Sequence, residues 1–257
     1  MVKDITSTEN KTYKHLKKLL NRAERYKTGL FIAEGRRIVK DAVSFGAAEC
    51  IFIEENYKDE DLPLDIPVYR LKNKLFAAVS DTCNSQGIIA VCKMGKHDIK
   101  EIKGDTILLS DGVSDPGNMG TLIRTAECSG ADAAVILKGS TDPYSPKAVR
   151  ATMGSIFRIP IYFADILDIK ENMQDYSIVA TVPDAEESMY DVQFKGKTAV
   201  VIGNEGDGIS PAMLSQSTLK IRIPMCKEAE SLNASVAGGI VLYEIFRQKY
   251  NNLRIDK

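Results

Sequence analysis

The stretch SDPGNMGTLIRTAECSG, residues 114–130, constrains this chain more than any other part of it. Pro116, Gly117 and Gly120 break regular structure straight after the apolar run ILL (107–109) and straight before an amphipathic helical pattern. A strand that ends in a Gly- and Asn-bearing loop and then opens a helix is the building unit of an α/β fold, and such loops hold ligands. Two more loops of this kind follow. GNEGDGIS ends the run TAVVI, and IPMCKEAESLNAS ends the last strand and leads into a helical stripe over 233–250. In an open parallel sheet all three lie on the carboxyl edge, where ligands bind.

Strands and helices alternate through the rest of the chain. A basic helix is predicted over about 11–26, a short strand at Phe31 and Ile32, and a helical stripe Ile38, Val39, Ala42, Val43 that stops at Gly46. ECIFIEE, VYRL and GIIAVCKM read as strands, with a short helix over 72–79 before the last. The polar segment GKHDIKEIKGD is the best boundary. It divides a first α/β domain (1–95) from a linker (96–105) and a second α/β domain (106–257). In the second domain the pattern predicts a helix over 121–129 capped by Gly130, a helix from Pro146 to about 155, and another over 165–174.

Several function classes lose support from what the chain lacks. Five scattered cysteines include no Cys-x-x-Cys pair, and there are two histidines, so a zinc site, a disulfide framework and a Ser–His–Asp triad are poorly supplied. No metal is expected. No run approaches the roughly 20 apolar residues of a membrane span, and the N-terminus has no signal-peptide core, which points to a cytoplasmic protein. The net charge of −1 hides an asymmetry: residues 1–27 carry eight Lys or Arg against three Asp or Glu. Lys14, Lys17, Lys18 and Arg22 stand on a helix that can track a phosphate backbone, although a solvated helix face explains the charge equally well.

A dinucleotide cradle is the obvious ligand for strand-to-helix glycine loops, and it fails on detail. The fingerprint Gly-x-Gly-x-x-Gly is missing at the first loop, which offers Gly117 and Gly120 alone. The second loop carries Glu205 and Asp207 among its glycines, and two carboxylates repel a pyrophosphate. These loops suit a ligand that is not strongly anionic, or one with a positive charge.

Taken in order, Asp115-Pro116, Asn118, Gly120 and Arg124-Thr125-Ala126; Gly203, Glu205 and Gly208; and Ile223-Pro224-Met225 with Ser231-Leu232-Asn233-Ala234-Ser235 resemble the three motifs of the SpoU (TrmH-like) RNA ribose 2′-O-methyltransferases of the SPOUT superfamily. The resemblance spans about 106–250. The first domain, through GLFIAEGRRIVKDA, resembles the substrate-binding domain of the ribosomal RNA branch, related in fold to kink-turn-binding ribosomal proteins.

The resemblance implies S-adenosylmethionine as methyl donor, a trefoil-knotted parallel sheet, a homodimer, and RNA, chiefly 23S ribosomal RNA, as substrate. A transfer RNA substrate and a non-catalytic RNA-binding protein of the same fold stand as alternatives, the latter against intact motifs. Gly203, Ile223 and Leu232 match the family's cofactor-binding positions, and Asn118, Arg124, Glu205, Ser231 and Asn233 its central site residues. A guanidinium resists deprotonation, so Arg124 is easier to picture gripping a phosphate and stabilising a developing alkoxide than acting as a base. Glu205 reads as a hydrogen-bond anchor for Asn118, and Ser231 could be the N-cap of the last helix. Lys14, Lys17, Lys18, Arg22, Arg36 and Lys147 are the candidate RNA contacts.

Overall fold

Apolar alternation in the first hundred residues builds a mixed five-stranded sheet. Its strands are β1 (Val2–Ile5), β2 (Leu30–Glu34), β3 (Ala48–Glu54), β4 (Val68–Leu71) and β5 (Ile88–Lys93), in the spatial order β1-β4-β3-β5-β2. β4 runs parallel to β1 and β3, while β5 is antiparallel to β3 and β2. The computed structural model describes residues 2–58, 65–82, 84–226 and 231–249. Cys83, Tyr250, and residues 227–230 of the third motif loop, all used in the sequence reading, lie outside the described residues.

The helices of this first unit are α1 (Lys11–Lys18), α2 (Arg22–Thr28), α3 (Arg36–Ser44) and α4 (Asn73–Ala77). The single basic helix expected over 11–26 is therefore two. Asn10 caps α1 through Thr12 and Tyr13, and Asn21 caps α2 through Ala23, so the second asparagine restarts the helix rather than continuing it. Tyr13, Leu16 and Leu19 bury against Ile32, Phe52, Leu71, Phe76 and Ile89 on one face of the sheet. Strand β1 was not foreseen: its burial pattern is three exposed residues and one buried, which gives no hydrophobic alternation to read.

Seven parallel strands form the second unit: β6 (Thr106–Asp111), β7 (Ala133–Leu137), β8 (Ile161–Ala164), β9 (Ser177–Thr181), β10 (Glu187–Ser188), β11 (Thr198–Gly203) and β12 (Leu219–Arg222). Their order is β10-β12-β9-β11-β6-β7-β8. Helices α5 (Pro116–Cys128), α7 (Ile166–Asn172), α8 (Pro211–Gln216) and α9 (Ala234–Lys249) cover the sheet, as strands buried on both faces require. Ile107, Leu109, Val135 and Val201 pack with Ile169, Met173 and Met213 from α7 and α8. Gly238 lets α9 lie close to α5 and β11, because a Cβ there would collide with Leu122 and press on Ile202 at 3.3 Å.

The connection between β7 and β8 carries α6 (Pro146–Ala151), and residues Asp142–Arg158 belong to the first unit, not the second to which sequence order assigns them. Packing explains this. Tyr144 and Phe157 sit on Phe31, with ring centroids 4.9 and 5.9 Å away. Arg25, almost fully buried, pairs with buried Asp142 at 2.6 Å while its Nη1 donates to the carbonyls of Leu19 and Leu20. Tyr26 donates to the other oxygen of Asp142 at 2.9 Å.

Candidate active site

All three motif loops meet at the carboxyl ends of β6, β11 and β12. The first is not a loop in full: α5 begins at Pro116, five residues before the helix start read from the sequence. Asp115 is its N-cap, accepting from the Asn118 amide at 2.9 Å, and Pro116 takes the first helical position, where a missing N–H costs nothing. Gly117 and Gly120 looked like loop residues, but the cap and the proline outweigh them. The motif asparagine thus sits in a helical first turn, with its side chain free to reach outward.

Glu205 organises that turn from the second loop. Its carboxylate accepts from the Ser114 amide (3.0 Å), the Ser114 hydroxyl (2.7 Å), the Asp115 amide (3.3 Å) and Asn118 Nδ2 (2.8 Å). Partial burial opposes its ionisation, but the hydrogen bonds from Asn118 and from Ser114 outweigh burial and hold it at about 2. A carboxylate that is ionised at neutral pH only accepts there, so it dictates which way the Asn118 amide points. The Asn118 carbonyl oxygen is turned to the third loop, where it accepts from Asn233 Nδ2 at 3.0 Å and from the Ser235 hydroxyl at 3.3 Å.

Asn233, not Ser231, is the N-cap of α9. Its Oδ1 accepts from the amides of Ser235 and Val236 and from the Ser235 hydroxyl, and its carbonyl accepts from Ala237. Asparagine satisfies the orphan amides one position before the helix, which leaves Ser231 two residues upstream on the cavity wall. Glu205, Asn118 and Asn233 therefore form one continuous chain of hydrogen bonds across the three motifs. Ser114 and Ser235 belong to this chain and were missed by the sequence reading. Ser235 closes Ser-Leu-Asn-Ala-Ser, so the motif itself held the signal; Ser114 carried none.

Beside this chain lies a cavity of ≈ 220 Å³. Gly203, Ile223 and Leu232, the three residues matched to cofactor positions, all line it, with Ile202, Ile209 and Ala237. Gly203 has no room for a side chain, because a Cβ would run into the backbone of Gly208 and Ile209. That crossing is a two-residue bridge between Asn204 and Gly208, and Gly208 takes φ +72°. Asn204, also missed from the sequence, shapes the loop: its Oδ1 accepts from the amides of Gly206 and Asp207 while its Nδ2 donates to the Gly112 carbonyl at 2.8 Å.

Arg124 lies on the exposed face of α5 and is not drawn into the hydrogen-bond chain; no ion pair engages it among the described residues. The candidate RNA contacts all belong to the first unit. Lys14, Lys17, Lys18 and Arg22 are exposed on α1 and α2, with Lys14 paired to Glu9 at 2.5 Å and Arg22 over the Tyr26 ring at 5.4 Å. Arg36 stacks on Tyr57 at 5.2 Å, and Lys147 is exposed on α6. Among the described residues there is no group of three His, Cys, Asp or Glu placed to hold a metal, and no helix is long and apolar enough to cross a membrane.

Residues 105–243 match the SpoU rRNA Methylase family, and residues 10–90 match the MRM3-like substrate binding domain. The chain belongs to the SpoU rRNA methylase family. It is 33% identical over 248 residues to the 23S rRNA (guanosine(2553)-2′-O)-methyltransferase RlmP of Bacillus subtilis, covering 95% of this chain and 99% of that one. It is 32% identical over 209 residues to the 23S rRNA (guanosine-2′-O-)-methyltransferase RlmB of Xylella fastidiosa, covering 77% and 82%. Among solved structures, the AdoMet-bound rRNA methyltransferase of Sinorhizobium meliloti superposes with a TM-score of 0.85 at 28% identity, over 96% of this chain and 98% of that one. The SpoU methyltransferase AviRb of Streptomyces viridochromogenes, in complex with AdoMet, gives 0.83 at 26% identity, over 94% and 99%. An α/β architecture of a SpoU methyltransferase domain with an N-terminal substrate-binding domain is thus common to this chain and its relatives.

Proposed function

We propose that this SpoU family member transfers a methyl group from S-adenosylmethionine to a ribose 2′-hydroxyl of 23S ribosomal RNA. The observation that carries the reading is the hydrogen-bond chain Glu205–Asn118–Asn233, which draws all three motifs to one edge of a cavity with both apolar and polar walls. The residues fit the donor. Ile202, Ile209, Ile223 and Leu232 offer apolar walls for an adenine, the lack of a Cβ at Gly203 lets the second loop close against Gly208 and Ile209 on the cavity wall, and ionised Glu205 gives the loops a negative charge. When bound, S-adenosylmethionine supplies an electrophilic methyl on a cationic sulfur.

The chain's own residues hold the acceptor. Orientation of two reactants is commonly a large share of the catalysis of a displacement, and here the acceptor ribose is positioned by Asn118, whose amide is fixed at both ends. Arg124 grips the adjoining RNA phosphate through its paired N–H donors and stabilises negative charge on the 2′-oxygen as the hydroxyl proton passes to solvent water. Asn233 and Ser235 hold the Asn118 carbonyl, and Ser231 faces the same cavity. Residues 1–95 act as the RNA-reading domain, with Lys14, Lys17, Lys18, Arg22 and Arg36, joined by Lys147 from the segment Asp142–Arg158 of the same unit, as phosphate contacts. The enzyme works in the cytoplasm as a homodimer with a knotted catalytic sheet.

The deciding experiment incubates the full chain with labelled S-adenosylmethionine and protein-free 23S ribosomal RNA, then maps ribose methylation. One protected ribose is expected, and it is lost when that nucleotide carries a 2′-deoxyribose. Cofactor binding with no methyl transfer to ribosomal RNA, but transfer to transfer RNA, would move the substrate to the alternative class.

A further inference from the structure

The first unit contains a second cavity, a half-open space of ≈ 210 Å³ between the start of α3, the segment before β5, and the end of α6. Its walls include Arg37, Ile38, Asn84, Gln86, Arg150 and Met153. Three observations mark it out. First, Arg150 has one nitrogen, Nη2, on Asp81 at 2.7 Å, while its Nη1 is buried with no acceptor among the described residues. A buried N–H without an acceptor is unfavourable, and a ligand that supplies one removes the penalty.

Second, Met153 takes φ +50°, the one positive φ at a non-glycine among the described residues. Backbone strain of this kind concentrates at ligand sites, and this residue is on the wall. Third, the polar wall is rich in donors. The acceptor oxygen of Gln86 is taken by the Arg36 amide at 2.7 Å, which leaves its NH₂ group. Glu34, the carboxylate lining the cavity, already accepts from Ser80, Thr82 and Ser85 on Oε1 and from the Asp81 amide on Oε2.

Donors from Arg150 and Gln86, with the Asn84 amide beside them and apolar Ile38 and Met153 on the same wall, describe a pocket for a flat, acceptor-edged group. We propose that this cavity is an RNA-reading subsite that takes one unpaired guanine. Its O6 and N7 face the arginine and amide donors, its ring lies against Met153 and Ile38, and the adjoining phosphate lies on exposed Arg37. Sequence-specific RNA recognition targets splayed-out single-stranded bases, and a space of this size suits one base rather than a duplex. The inference rests on RNA being the substrate class, and it adds a specificity pocket to that reading.

The test measures fluorescence anisotropy of the full chain with a labelled uridine-tract RNA bearing one central guanosine, against the same tract without it. The intact protein is expected to prefer the guanosine RNA by roughly tenfold, the worth of one good base contact. Arg150→Met and Asn84→Ala should each erase that preference while leaving affinity for the all-uridine RNA and for S-adenosylmethionine unchanged. Arg37→Ala should weaken both RNAs alike. Because Arg150→Met frees Asp81, Arg150→Lys and a thermal unfolding curve accompany it, and Asn84→Ala keeps the test decisive should Arg150→Met fail to fold. Equal binding of the two RNAs by the intact protein, or a preference that survives Asn84→Ala and Arg150→Lys together, overturns the subsite. No binding of either RNA, or of ribosomal RNA, overturns instead the reading on which it rests.

Discussion

Replacing Glu205 by glutamine removes an acceptor-only group at the meeting point of the motifs. A glutamine has a single acceptor oxygen, and four donors converge on the carboxylate. With that oxygen turned to Asn118 and Asp115, its NH₂ faces the Ser114 amide, donor against donor, and that hydrogen bond is lost. The stabilisation follows from the titration. A fall from 4.5 to about 2 corresponds to roughly 3 kcal/mol at 1.36 kcal/mol per pH unit, and solvent screening of an exposed carboxylate halves this to about 1.5 kcal/mol. The folded-state value lies below the unfolded one, so the contribution is complete above about pH 4.5 and is lost as pH falls towards about 2.

Denaturant unfolding of the parent and Glu205→Gln should therefore differ by about 1.5 kcal/mol near pH 7 and by less than half of that near pH 3. Methyl transfer should fall more steeply than stability, because a glutamine can present either its oxygen or its NH₂ to Asn118 and so no longer fixes one orientation of that amide. Equal stability of the two proteins near pH 7, or a gap that stays constant down to about pH 3, would refute the account of Glu205 as an ionised anchor.

Other perturbations test the neighbouring parts. Arg124→Ala should bind S-adenosylmethionine in calorimetry as the parent does, since Arg124 does not line the cavity, while transfer to RNA drops by roughly 100- to 1,000-fold; a variant that keeps its transfer rate would remove Arg124 from the chemistry. Gly203→Ala places a Cβ against the backbone of Gly208 and Ile209 and should lose about 2 kcal/mol or more in stability together with cofactor affinity, measured by unfolding and by calorimetry. Deleting residues 1–95 strips Phe31 from Tyr144 and Phe157 and Arg25 from Asp142, so the remnant should aggregate on size-exclusion chromatography instead of behaving as a free catalytic domain.

The parts of the fold that were legible share one property: they follow short-range patterns. β6, β7 and β11 are continuous apolar runs, and the stripe of α3 repeats at helical spacing. The start of α5 was misread although Asp115-Pro116 is a helix-start signal, because two nearby glycines spoke for a loop. Helix α8 and the two-residue strand β10 went unseen; each is too short for a period to show. At the site, the residue types of the three motifs were visible, but the hydrogen bond from Asn118 to Glu205 joins positions 87 residues apart, and Asn118 to Asn233 joins positions 115 apart. No local pattern encodes such pairs.

By itself, the amino-acid sequence determined the α/β class, the three ligand-holding loops and the residues that the SpoU family resemblance marks, since these depend on residue type and spacing along the chain. Tertiary structure alone decided that Asn233 caps α9, that Ser235 and Ser114 complete the chain around Asn118, and that Asp142–Arg158 pack with the first unit. It also decided the ionisation of Glu205. Each of these depends on donors, acceptors and apolar faces brought together from distant segments, and their energies exist only once the chain has closed on itself.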